Sequence, residues 1–244
     1  MNLKARRKFW LEIHLWLGLA LGLFLSIFGI TGSILVFYPE IEELLNPGML
    51  VVAQPLDAHA YRPLSEIFKS GSAVMPPQAK HTFATYPRNS EAAFILRYAL
   101  PLASGVTEQW QVAVNPYTAE VTGKQLGVAS DSILPKTLIG FVFELHYALL
   151  LDEDPDYWVV GIIGAFSVIS VLTGLILWWP FTGKWLQAVT IKRKASIERL
   201  NFDLHKTFGF YSTVILIPVL FSGVYMNVPE HVVPVIECNL SLLV

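Results

Sequence analysis

The chain has 244 residues, 54% hydrophobic and 15% charged, and its mean hydropathy is +0.52. That length allows one or two domains, and that composition excludes a disordered chain and argues against a soluble enzyme. Its 17 Lys and Arg against 19 Asp and Glu leave no basic excess for nucleic acid, and one cysteine, Cys238, excludes an intrachain disulfide, a CxxC clip and a CxxCH covalent haem site.

Three stretches are long and apolar enough to cross a bilayer, which takes about 20 residues. The first runs from Ile13 to Tyr38 without a charge. The second runs from Trp158 to Trp179, also uncharged, and the third from Phe208 to Val228, with Pro218 as an expected kink. The basic start before the first stretch resembles a signal peptide. The apolar run is too long for one and no small-residue cleavage site follows, so a retained helix is expected. A further apolar stretch, Ile133 to Leu151, carries Lys136, Glu144 and His146. It reads as an amphipathic helix lying on the membrane surface.

The expected fold is therefore an α-helical membrane protein: three transmembrane helices, a small α/β domain and one interfacial helix. Residues 1–39 hold a basic segment and the first helix, and 40–136 the α/β domain. Residues 137–157 hold the interfacial helix and an acidic loop. The second helix covers 158–180, a loop 181–206, the third helix 207–228 and a tail 229–244. Within 40–136, Leu64–Ser70 reads as a helix and His81–Tyr86, Ala92–Ala99 and Gln109–Val114 as strands. Asn115-Pro116-Tyr117-Thr118 reads as a turn, with another strand starting at Ala119–Thr122. Residues 1–12 and 180–206 carry 10 basic residues against three acids, and the rest of the chain carries 7 against 16. The positive-inside rule places the N-terminus and the 180–206 loop in the cytoplasm and the α/β domain outside.

Histidines in apolar segments are costly and mark function. His14 begins the first span and His205 begins the third, both at the cytoplasmic end, whereas His146 belongs to the outer side. Two neutral imidazoles at one depth on different helices are what a non-covalent haem iron needs for its axial ligands. On one face of the first span lie His14, Gly18, Gly22, Gly29 and Gly32; on one face of the third lie His205, Gly209, Ser212 and Gly223. Gly18 and Gly209, four residues after their histidines, would clear room for a flat ligand. Small-residue packing between helices explains the glycines but not the histidine heading each stripe. Three hydroxyl–glycine pairs, Thr31-Gly32, Thr173-Gly174 and Ser222-Gly223, read as close-packing points. His59 and His81 read as ordinary exposed or packed side chains.

These residues resemble the PepSY-associated transmembrane helix family. The likeness rests on Trp10-xxx-His14-xxx-Gly18 leading to Thr31-Gly32, on Leu145-His146 with Leu149-Leu150, and on Thr173-Gly174 leading to Trp178-Trp179-Pro180. Asp203-Leu204-His205-xxx-Gly209 and Asn115-Pro116-Tyr117-Thr118-Ala119-Glu120-Val121 complete it. The resemblance implies a bacterial inner-membrane ferric or ferric-siderophore reductase with haem b, one or two per functional unit, and a periplasmic domain. His14, His205 and His146 would then ligate haem iron. Asp152, Glu153, Asp154 and Asp156, soon after His146, would offer hard oxygen ligands to periplasmic Fe(III) or a ferric chelate; a solvated turn is the alternative. No GxGxxG follows a strand, so electrons would come from an unknown cytoplasmic donor: a flavin, a reductase or a quinol. Lys192-Arg193-Lys194 would dock an anionic donor or simply set topology. Three spans are few to enclose haem, so a homodimer is expected, functionally linked to a ferrous iron transporter. The competing expectations are a non-enzymatic accessory or sensor acting through the outer domain, and a haem electron carrier.

Overall fold

A computed structural model describes residues 3–55, 60–105, 107–129, 137–151, 156–181, 183–192 and 194–230. The chain divides into two units, Met1–Phe28 with Tyr147–Val244, and Gly29–His146. Helix α1 (Leu3–Val36) contributes to both.

The first unit is helical. Beside the N-terminal part of α1 it contains α6 (Asp156–Trp178), the short α7 (Trp185–Ala188) and α8 (Ile197–Asn227). Three helices, α1, α6 and α8, are long and apolar enough to cross a membrane. Two begin well before the expected spans: α1 starts at Leu3 and α8 at Ile197, because the flanking charged residues are good helix formers and continue the hydrogen-bonded ladder. Ser196 caps α8, its hydroxyl accepting from the Arg199 N–H. Pro218 lies inside α8. Helices α6 and α8 meet where α6 has no side chain. A Cβ on Gly161 would stand 2.9 Å from Val228 and one on Gly164 2.8 Å from Val224. At the other end Trp178 stacks flat on Phe210, ring centroids 3.8 Å apart.

The second unit is built on an antiparallel sheet, order β1-β2-β3-β4: β1 (Lys80–Thr85), β2 (Phe94–Pro101), β3 (Thr107–Val114) and β4 (Val121–Ala129). Its helices are α2 (Tyr38–Leu45), α3 (Pro47–Leu50), α4 (Leu64–Ala73) and α5 (Leu138–Tyr147). The strands fall within two residues of the sequence expectation; α2 and α3 were not expected, since their short proline-led segments show no full helical period. Along β2 burial alternates, and Phe94, Leu96 and Tyr98 share a core with Val112 and Val114 of β3 and Ile67 of α4. Gly71 lets α4 lie close, for a Cβ there would stand 2.4 Å from Leu96 Cδ1. The opposite face is different. A small cluster of Leu50, Val52, Ala93 and Ala113 covers one end, and beyond it Arg97, Gln111 and Gln125 stand opposite one another in a polar row.

Candidate functional site

His14 on α1 reaches across to α6. Its Nδ1 is 3.0 Å from the Ser170 carbonyl and 3.0 Å from Thr173 Oγ1. The Thr173 hydroxyl donates to the same Ser170 carbonyl at 2.7 Å. A carbonyl only accepts, so Nδ1 carries the hydrogen. The hydroxyl's own proton is already committed, so Thr173 accepts as well. Nε2 is then the nitrogen with the free lone pair, the arrangement in which a histidine ligates metal while its other nitrogen is oriented by the protein. Gly174 makes the approach possible: a Cβ there would stand 3.0 Å from His14 Cε1.

His205 on α8 faces the same place. The two imidazole centroids are 6.0 Å apart, tilted by 59°. One metal ion bound by an imidazole nitrogen on each side, at roughly 2 Å each, puts the ring centroids about 6 Å apart. Gly18 and Gly209, on the same helix faces as these histidines, make no close contact with another helix among the described residues. Among the described residues no atom comes within 4 Å of where a Cβ would stand at Gly18, Gly22, Gly209 or Gly223, in contrast to Gly161 and Gly164. Two neighbouring imidazoles, one with its hydrogen placed on Nδ1, and an unfilled glycine four residues on from each are residues that would suit a haem held by both histidines.

His146 on α5 repeats the seat. Its Nδ1 is 2.9 Å from Thr31 Oγ1, and a Cβ on Gly32 would stand 3.0 Å from its Cε1. Two of the hydroxyl–glycine pairs that read as packing points are thus histidine seats. The glycine admits the ring and the preceding hydroxyl meets Nδ1. Sequence reasoning noticed the pairs but not their partners, because the histidine lies 115 residues away from Thr31 in the chain and 159 from Thr173. Beyond His146 the chain turns through Leu149 and Leu150, at φ of 55° and 57°, a left-handed conformation unusual for leucine.

Asp203, two residues before His205, is fully buried. It accepts from the Lys192 backbone N–H (3.1 Å), Arg199 Nε (3.1 Å) and Lys206 Nζ (3.0 Å). Lys206 in turn donates to the carbonyls of Gln187 and Thr190. This hub pins the 187–192 segment to α8 through Asp203 and Lys206, the residues that flank His205 in sequence, so Asp203 positions rather than ligates.

His81 packs edge-on against Phe68 and Tyr98 (4.9 and 5.6 Å), a packed side chain as expected. Asp152, Glu153 and Asp154 lie outside the described residues, as do His59, His231, Cys238 and Arg193. Asp156 opens α6, and only its backbone is described.

The model of one protein family, described as the PepSY-associated TM region, matches residues 11–239. No curated protein matches the chain.

Proposed function

The chain belongs to the PepSY-associated TM region family, and from that membership and its paired histidines we propose that it is a haem b-dependent ferric reductase of the bacterial inner membrane. The N-terminus would be cytoplasmic and the sheet domain periplasmic, as the charge asymmetry favours. One observation carries the reading: His14, whose Nδ1–H donates to the Ser170 carbonyl and leaves Nε2 with a lone pair, lies with its ring centroid 6.0 Å from that of His205. Haem, when bound, supplies a one-electron couple of a kind that side chains lack. The chain's own residues do the rest. His14 and His205 would hold the group at the cytoplasmic end, with Gly18 and Gly209 giving it room. His146, oriented by Thr31, would serve the outer end. The net basic inner segments favour an anionic electron donor, whether flavin, reductase or quinol, and the acidic outer segments favour cationic Fe(III). One electron reduces one Fe(III) to Fe(II), which a ferrous transporter would then take up. A second copy of the chain would complete or cover the haem site.

The test is spectroscopic and vectorial. Protein purified from haem-replete cells should show a reducible b-type spectrum. When reconstituted in sealed vesicles and reduced, it should be reoxidised by Fe(III) added on the side of the sheet domain. A colourless protein would favour an accessory or sensor role. A haem protein that Fe(III) fails to reoxidise would be an electron carrier for another enzyme.

A further inference from the structure

The two faces of the sheet are built for different purposes. One is filled by α4 with aliphatic and aromatic side chains. The other meets α2, which buries none of its own residues. Between α2 and that face lies a cavity of about 170 Å³, whose wall includes Glu42, Arg88, Arg97, Gln111 and Tyr86.

The charges around it are not equivalent. Arg88 is committed. Its guanidinium makes a two-pronged contact with Glu43 (3.0 and 2.6 Å) and a third with Glu40. That fork ties the loop before β2 to α2 and makes one rigid wall. Among the described residues, neither the Arg97 guanidinium nor the Glu42 carboxyl has a hydrogen-bond or ion-pair partner. Burial raises the Glu42 carboxyl from its ordinary value and the charge of Arg97 pulls it partly back. No ion pair within 4 Å joins them among the described residues. A carboxyl and a guanidinium thus face one cavity without closing it, and the Gln111 amide stands opposite Arg97 in the same row.

A ligand that completes this site needs an acceptor group for the guanidinium fork and the amide, and something a carboxylate binds. A carboxylate satisfies the first requirement. A hard cation held by that same molecule satisfies the second, because Fe(III) favours oxygen ligands. The volume admits a compact ligand. We propose that this cavity binds a small hydroxycarboxylate chelate of Fe(III), its free carboxylate on Arg97 and Gln111 and its metal-bearing side toward Glu42. The choice of metal rests on the ferric-reductase reading; the cavity and its unpaired charges do not.

The experiment uses the full chain in lipid nanodiscs and isothermal titration calorimetry with two probes: iron-free citrate and Ga(III)–citrate, a redox-inert stand-in for the ferric chelate. Ga(III)–citrate should bind and citrate should bind more weakly. Arg97→Gln should weaken both by about tenfold or more, as loss of a charge-assisted hydrogen bond does. Glu42→Gln should weaken only the gallium form. Arg62→Gln, on an exposed pair with Glu66, should change neither. Equal binding of the two probes with no effect of Glu42→Gln would make the cavity an anion site only and overturn the proposal, as would binding indifferent to Arg97→Gln or no binding at all. Gallium binding requires no haem, so a colourless protein that still binds Ga(III)–citrate would sink the reductase reading and leave the cavity standing. A haem-loaded protein that ignores it would do the reverse.

Discussion

His14 and His146 are seated alike and secured differently. Each ring lies against a glycine, with the hydroxyl of the preceding threonine on Nδ1. At His14 a backbone carbonyl shares that nitrogen and fixes the tautomer. At His146 the Thr31 hydroxyl meets Nδ1 at 2.9 Å. The first seat joins two spanning helices. The second joins α1 to the ten-residue α5. The shared device is the Thr-Gly pair, and at His14 the Ser170 carbonyl assigns the hydrogen to Nδ1.

The largest effects should come from removing the seats. Gly174→Leu would push a side chain into His14, and Gly32→Leu one into His146. Each should abolish haem binding at its own site and spare the other, read as two separable losses in a reductive titration. If either substitution removes all haem, the sites are not independent. Gly161→Leu is the control for packing. It collides with Val228 and should cost about 1–3 kcal/mol of stability through overpacking, whereas Gly18→Leu should displace haem and leave the thermal stability of the haem-free protein unchanged.

Next come the hydroxyls. Thr173→Val leaves the Ser170 carbonyl on Nδ1, so the low-spin spectrum should persist, with haem affinity lowered by no more than about tenfold. Thr31→Val should cost about ten- to a hundredfold, the usual loss for a partner that orients a ligand. Serine at either position should restore the wild-type midpoint potential. A larger loss at Thr173 than at Thr31 would reverse the comparison.

How far the sequence foretold this depends on chain distance. The three spans were legible because twenty apolar residues have few other uses, and β2 and β3 because alternation is local. His14 and His205 were legible as a pair because each heads a stripe of glycines at matching depth, a pattern that spans two helices but repeats in each. The seats were not legible. Nothing within α6 tells that Thr173-Gly174 will meet a ring from α1, and only the packing of one helix on another brings them together. Asp203 was visible in the quoted motif, but its task, tying down the 187–192 segment, depends on where that segment returns. The open face of the sheet was hidden for the same reason: α2 follows the first span without a clear helical period, and its relation to Arg97 is purely tertiary.

The smallest effect concerns the surface charges between α2 and the loop before β2. The Glu40 carboxyl is held below its usual 4.5 by its own backbone N–H and then by Arg88. A carboxyl lowered in the folded state adds stability above its unfolded value, and that stability is lost as pH falls through the folded one. Arg88→Ala removes part of the lowering. Acid opening of β2, followed by hydrogen exchange, should therefore begin at a higher pH in the variant, with no change at pH 7 in the haem spectrum.

The central claim is that His14 and His205 ligate one haem. The most direct measurement is the low-temperature electron paramagnetic resonance spectrum of oxidised full-length protein, compared across His14→Ala, His205→Ala and His146→Ala. The account predicts that the first two variants lose the same low-spin signal, or convert the same signal to high spin, while the third leaves that signal in place. Retention of the full low-spin signal in both His14→Ala and His205→Ala would contradict it.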